Sequence, residues 1–365
     1  MGHAARAVCS RCRGAFTTHT ARVVNKARLT RRFTQTFAAY AAVIVAFPKA
    51  ADAGRLVERC ARAVDAVAVA HFRSSAAEDN SAAREGLRAF LSVADTSYAA
   101  MCSALERKDP DCALCGAGRL TCIARCYAAA LRRRGDCARY AAELCNASSS
   151  SSSSSMALYA ASADVWPQCG ETWNAMGAAA LHAGDELAAT HHFLRALAST
   201  EPMPGARVNA LAVLRHGERA GRMQAGVTST CSRSEAVIHT RVLAPCLHFL
   251  TTPVRGAKAN VNDASTAFVN GIAAGTLSAS GALSLFASLL AVEACIEGSA
   301  SATAEARQQL MTLIAQAACA VCSAVAAALQ YTSLGPHGDT FCLLTDWLTL
   351  CVRMPVNVVA SPPQL

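Results

Sequence analysis

The chain has 365 residues, 53% of them hydrophobic, 5% aromatic and 16% charged, and its formal net charge is +9. So much apolar material in a chain of this length supports a large buried core and excludes a disordered protein. Gly and Pro are sparse and period-two apolar runs are hard to find, so the expected class is all-α.

No Asp or Glu precedes Asp52, whereas Arg6, Arg11, Arg13, Arg22, Lys26, Arg28, Arg31, Arg32 and Lys49 all do, which is nine cations. The rest of the chain balances, with 25 Lys and Arg against 25 Asp and Glu. Residues 1–51 therefore form a basic leader or N-terminal helix. Three readings stand side by side: a mitochondrial transit peptide, an arm for nucleic acid, or a solvated helix. The apolar run Ala41 to Phe47 is too short to span a bilayer. The opening Met-Gly does not extend to a myristoylation signal, since Arg6 stands where Ser or Thr is wanted.

Cysteine is abundant, with 18 in the chain, and three pairs have C-x-x-C spacing: Cys9/Cys12, Cys112/Cys115 and Cys319/Cys322. Without a secretory signal most are read as reduced thiols packed like small hydrophobes. Cys319 and Cys322, in "AQAACAVCSAV", are expected on the buried face of a helix. Cys112 and Cys115, in a loop, keep a zinc alternative.

Cys122 to Arg134 predicts a helix, and Gly135-Asp136 a turn after it. The eight serines Ser148 to Ser155 cannot bury apolar area, so they are expected as a solvated insertion, open to phosphorylation. Met156 to Pro167 predicts the next helix. From Trp173, "WNAMGAAALHAGDELAATHHFLRALASTEP" follows a tetratricopeptide pattern. Gly177, Ala189 and Ala196 let two helices approach, Trp173 and Phe193 fill the wedge, Gly184-Asp185 turns the chain, and Pro202 follows. His191 and His192 fit packing or surface positions on that helix better than a metal site.

After a linker at 219–227, residues 264–292 and 308–338 contain no charged residue. Each exceeds the roughly 20 residues a spanning helix needs. Polar side chains, Gly and Pro interruptions and the absence of flanking Lys/Arg asymmetry argue against a membrane and for buried antiparallel helices.

With these pieces in order, the chain resembles a known family. "GDCARYAAEL" is similar to the Gly-Asp-x-x-Arg-Tyr signature of 14-3-3 proteins. The wider order is "REGLRAFLSVADTSYAAMCSAL", "RRRGDCARY", then Pro167, Gly170, Asn174, Gly184-Asp185, Arg195-Ala196-Leu197-Ala198 and Asn209. It resembles the 14-3-3-like tetratricopeptide domain of the SMG effectors of nonsense-mediated mRNA decay and the ever-shorter-telomere proteins that accompany telomerase. A weaker likeness runs on to Asp346-Trp347-Leu348. The resemblance implies an all-α, 14-3-3-like tetratricopeptide array at 52–218, with the serine insertion, and antiparallel helical hairpins at 228–365.

It also implies a site. A phosphoserine brings close to two negative charges and three acceptor oxygens, so its receptor needs a guanidinium fork and further donors on rigid helices. Arg139 supplies the fork, Tyr140 a hydroxyl, and Asn174 an amide for the ligand backbone. Arg132, Arg133 and Arg134 add positive potential, and Arg134 is taken as the contributor. Each has a structural alternative: Arg139 paired with Asp136 or Glu143, Tyr140 packed, and Asn174 cross-linking helices. The family's second cation, a lysine, falls here near Val67, with Arg62 or Arg73 about a turn away as substitutes.

No phosphate-cradling Gly loop, metalloprotease motif or nucleophile elbow is present. The expectation is a non-enzymatic adaptor, cytoplasmic or nuclear, or mitochondrial if the leader is a transit peptide, without cofactor or metal. By resemblance it docks a phosphorylated, helicase-like decay factor, recruits decay machinery and pairs with a related family member. The alternatives are a telomerase-associated or RNA-binding factor using the basic leader, and a plain helical scaffold.

Overall fold

The computed structural model describes residues 26–53, 55–62, 81–107, 119–145, 150–220, 223, 232–250, 261–297 and 304–331. Among them the fold is all-α, as expected, with thirteen helices and one isolated β-bridge. The chain divides into two compact units, Met1–Pro167 and Gln168–Leu365.

The first unit holds α1 (Lys26–Ala46), α2 (Pro48–Ala53), α3 (Leu56–Cys60), α4 (Ser81–Glu106), α5 (Arg119–Cys145) and α6 (Ser150–Val165). Helix α1 packs on α4, α4 on α5 and α5 on α6. The reason is periodicity. In α4 the buried set is Leu87, Phe90, Leu91, Ala94, Tyr98, Met101, Cys102 and Leu105, one stripe at three- and four-residue steps. In α1 it is Phe33, Phe37, Tyr40 and Ile44. The two stripes meet edge to face, Phe33 on Phe90 with ring centroids 5.0 Å apart and Phe37 on Tyr98 at 4.9 Å. The second half of the basic leader is therefore a core helix with an aromatic face, and the rest of the leader lies outside the described residues.

Two expectations about the middle of this unit are corrected. Gly135-Asp136 is not a turn: α5 runs unbroken from Arg119 to Cys145. Gly135 instead marks a close crossing, since a Cβ built there would stand 2.5 Å from Cε1 of Tyr159 on α6. The glycine is needed for its missing side chain, not for its backbone freedom. Nor is the serine run wholly a solvated insertion. Ser150 to Ser155 open α6, and Ser155 is buried. Serine's modest helix penalty is outweighed by the packing of the helix that follows it.

The second unit begins with α7 (Gly170–His182) and α8 (Glu186–Ala198). Gly177 on α7 lies against the Phe193 ring of α8, where a Cβ would come within 2.5 Å, so the two helices approach as the sequence suggested. Between them Gly184 takes φ +77°, the left-handed conformation that ends a helix, and Asp185 caps α8 by accepting from the Ala188 N–H at 2.9 Å. Asp185→Ala is expected to destabilise this unit by about 1 kcal/mol, read as a lowered urea midpoint; an unchanged midpoint would show the cap to be idle.

Helix α9 (Gly205–Ala220) packs on α8. Then follow α10 (Arg233–Leu250), α11 (Val261–Ala273), α12 (Ala279–Glu297) and α13 (Ala304–Tyr331). The uncharged stretch from Ala264 to Val292 is split by a turn at Gly275, φ +64°, into α11 and α12. Among the described residues no helix is long and apolar enough to cross a membrane. Leu310, Leu313, Ile314, Ala317 and Val321 form the buried stripe of α13. Cys319, expected on that face, is exposed, because its position falls between the turns that carry the stripe. Cys9, Cys12, Cys112, Cys115 and Asp346-Trp347-Leu348 lie outside the described residues.

Candidate functional site

Helix α5 carries four arginines within two turns, and each has found an acid. Arg132 is 3% exposed, with Nη2 3.4 Å from Glu58 Oε1 on α3. Arg133 Nη1 donates to Asp136 Oδ2 at 2.8 Å, one turn along the same helix. Arg134 Nε donates to Asp95 Oδ1 on α4, also at 2.8 Å. Successive residues point about 100° apart round a helix, so the run fans out toward three different acids. The predicted contributor Arg134 is thus turned to α4, and it is Arg133 that shares Asp136 with Arg139.

Arg139 sits at the crossing of α5 and α6. Its Nη1 donates to Glu143 Oε1 at 2.7 Å and its Nε to the Tyr159 hydroxyl oxygen at 3.3 Å. Tyr159 in turn donates to Asp136 Oδ1 at 2.8 Å. The guanidinium lies over the Tyr140 ring, 4.4 Å from its centroid. Burial works to lower the Arg139 pKa, but Tyr159, Asp136, Glu143 and Tyr140 together raise it, so the group stays charged at any ordinary pH. Burial and the Asp136 carboxylate push Tyr159 upward, so its hydroxyl remains a donor.

One edge of the fork is left. Arg139 Nη2 stands 3.8 Å from Asp136 Oδ1, an ion-pair distance beyond hydrogen-bonding range. Among the described residues this nitrogen makes no hydrogen bond, and the side chain keeps 14% of its surface exposed. Tyr140 serves as a ring beneath the guanidinium. Arg62 lies exposed just past the end of α3, while Val67 and Arg73 are outside the described residues.

Asn174 belongs to the second unit. Its Oδ1 accepts from Asn209 Nδ2 at 3.0 Å, a link between α7 and α9 that matches the cross-linking alternative. Nearby, the Arg195 guanidinium lies 3.6 Å from the centroid of Trp173, and His192 stacks near the same indole.

Sequence reasoning missed two groups. Tyr159 is the hub of the Arg139 network; its signal was the lone tyrosine of α6 facing a helical glycine, legible only once Gly135 is known to lie inside a helix. The other is a histidine pair in the second unit. His191 on α8 and His239 on α10 meet edge to face with ring centroids 5.5 Å apart. His191 Nδ1 contacts Ser288 Oγ on α12. Because that hydroxyl already donates to the Ser284 carbonyl at 2.9 Å, His191 must be the donor, which leaves its buried Nε2 a bare lone pair. His239 Nε2 stands 3.9 Å from Glu235 Oε1, and that oxygen accepts from Ser278 N and Oγ at the start of α12. Among the described residues no three His, Cys, Asp or Glu side chains are grouped to hold a metal.

Residues 155–216 match the family model of the Est1 DNA/RNA binding domain, a segment that runs from the first turns of α6 through Tyr159, Asn174 and Asp185 to His216 in α9. The chain also shares its fold with a solved structure, that of the C. elegans SMG5-SMG7 complex, at a TM-score of 0.60 and 14% identity, over 97% of this chain and 84% of that one. The likeness to the SMG and Est1 proteins is borne out. No curated protein matches by sequence. At this identity the likeness is one of fold, and the chemistry at Arg139 rests on this chain's own residues. Arg139 and Tyr140 precede the Est1-matched segment, while Asn174 falls inside it.

Proposed function

We propose that this chain is a non-enzymatic helical adaptor of the SMG kind, docking a phosphorylated segment of a protein partner with Arg139 as the anchor. The observation that supports this is a guanidinium whose Nε and Nη1 are fixed by Tyr159 and Glu143 while its Nη2, within ion-pair distance of Asp136, makes no hydrogen bond to a described residue. A receptor of this kind loses little side-chain entropy on binding, because the fork is already oriented. A phosphate dianion with three acceptor oxygens then competes with Glu143, a side chain at the edge of the network, for the neighbouring N–H groups. The partner classes implied by the resemblance are a helicase-like decay factor and a related family member, the latter suggested by the SMG5-SMG7 complex. Cytoplasm and nucleus are the compartments in which such an adaptor would work.

The test is binding of phosphorylated and unphosphorylated Ser-Gln peptides to the wild type and to Arg139→Gln, which removes the guanidinium and its charge and leaves a shorter polar side chain. The phosphopeptide is expected to bind the wild type at least tenfold more tightly than either its unphosphorylated form or the variant does. Equal binding in all four arms overturns the reading. The Est1 DNA/RNA match favours a second reading, a nucleic-acid-associated factor, whose sign is an affinity for single strands that falls steeply with salt.

A further inference from the structure

The adaptor reading leaves the serine run without a task, and the α5–α6 hairpin supplies one. Its register is fixed at three points. Ser162 Oγ donates to the Ala128 carbonyl at 2.8 Å, Gly135 lies against the Tyr159 ring, and the Tyr159 hydroxyl joins Asp136 to Arg139. From the first of these points, eight residues back along α6 lead to Ser154 and eleven forward along α5 lead to Arg139. At a rise of 1.5 Å per residue these are roughly 12 and 16 Å, so the two residues lie within one turn of each other along the hairpin. Ser155 is buried, whereas Ser154 is exposed, on the stripe of α6 that Leu158, Ala161 and Val165 continue toward the core.

We propose that Ser154 is a phosphorylation site whose phosphate is held by Arg139 of the same chain, so that the modified serine run competes with a partner phosphoserine for one guanidinium. The competition rests on the adaptor reading above; the intrachain contact does not. The modifying step is phosphoryl transfer from a nucleoside triphosphate by a protein kinase. The Ser154 Oγ–phosphorus bond forms, the bond from the γ-phosphorus to its bridging oxygen breaks, the nucleoside diphosphate leaves, and the hydroxyl proton passes to the kinase's base. The product places close to two negative charges near a cation whose Nη2, 3.8 Å from Asp136 Oδ1, makes no hydrogen bond among the described residues. Glu143, whose oxygen takes Nη1 at 2.7 Å, is the group the phosphate displaces.

The experiment uses the full chain with phosphoserine incorporated at position 154 and follows the phosphate by phosphorus NMR against pH. Contact with a guanidinium stabilises the dianion, so the second phosphate pKa, about 6 for a free phosphoserine, is expected at least about half a unit lower than in a free phosphopeptide of the same sequence. Arg139→Gln is expected to abolish the shift, and Arg139→Lys, which keeps a cation, to retain part of it. A titration identical to the free phosphopeptide, or a shift that survives Arg139→Gln, overturns the contact. In a second arm, the Ser154-phosphorylated chain is expected to bind a labelled phosphoserine peptide at least tenfold more weakly than the unmodified chain; equal, measurable binding overturns the competition. A chain that binds no phosphopeptide in either form overturns the adaptor reading and the competition together, while the phosphorus titration still decides whether Arg139 holds the phosphate.

Discussion

Tyr159→Ala is expected to destabilise the first unit by about 3–5 kcal/mol, the range for removing a fully buried aromatic ring. The ring is fully buried and covers the gap that Gly135 leaves on α5. Its hydroxyl also serves two partners, donating to Asp136 and accepting from Arg139. Tyr159→Phe separates the two contributions. It keeps the ring and removes the hydroxyl, and is expected to cost about 1–2 kcal/mol. Gly135→Ala gives the sharper result, because its sign depends on the partner. In the wild type the new methyl meets the ring at 2.5 Å and overpacks the crossing, costing about 1–3 kcal/mol. With Tyr159→Ala already in place the clash is gone and the helix gains roughly 1 kcal/mol from losing a mid-helix glycine. Urea unfolding of the four chains, followed by circular dichroism, checks the sequence of signs. A Gly135→Ala effect that does not change with residue 159 would mean that the glycine has some other task.

The second large effect is loss of stability in acid, in the second unit. Burial holds His239 down to about 4, with Glu235 opposing it only in part, and burial with a contribution from Arg195 holds His192 to about 4 as well. His191 is likewise held well below its ordinary value by burial and by the adjacent His239 and His192. These groups are neutral in the fold while the unfolded chain takes up protons near 6.5, so between about 6.5 and 4 the unfolded state binds more protons. The contribution is therefore complete above pH 6.5 and is lost as the pH falls toward 4, each histidine adding a slope of up to roughly 1.4 kcal/mol per pH unit. Melting temperatures should fall progressively between pH 7 and 4.5. His239→Phe, which has no proton to gain, should flatten that dependence, and an unchanged slope in this variant would remove His239 from the account. Glu235 adds to the same trend at the bottom of the window: although burial raises its pKa, the hydrogen bonds from Ser278 bring it below the usual carboxylate range, so the unfolded chain takes up this proton first and stability falls further as the acid strengthens.

The amino-acid sequence by itself determined the class and much of the order. Helical periodicity in α4 and α1, the small residues of α7 and α8, the glycine that reverses the chain at Gly184 and the aspartate that follows it are local features, and the physics that reads them acts within a few residues. The family likeness was legible for the same reason, since its motif residues cap, turn and space neighbouring helices. What only the tertiary structure decided was which meaning of an ambiguous residue applies. A glycine signals either a turn or a close contact; Gly184 is the first and Gly135 the second, and the Tyr159 ring that distinguishes them lies 24 positions away in the chain. Likewise, three consecutive arginines state a charge but not its address. Glu58, Asp136 and Asp95 take one each, because side chains about 100° apart on a helix face different neighbours. The same holds for the histidine pair: His191 and His239 are 48 positions apart, and only the tertiary fold brings their rings together.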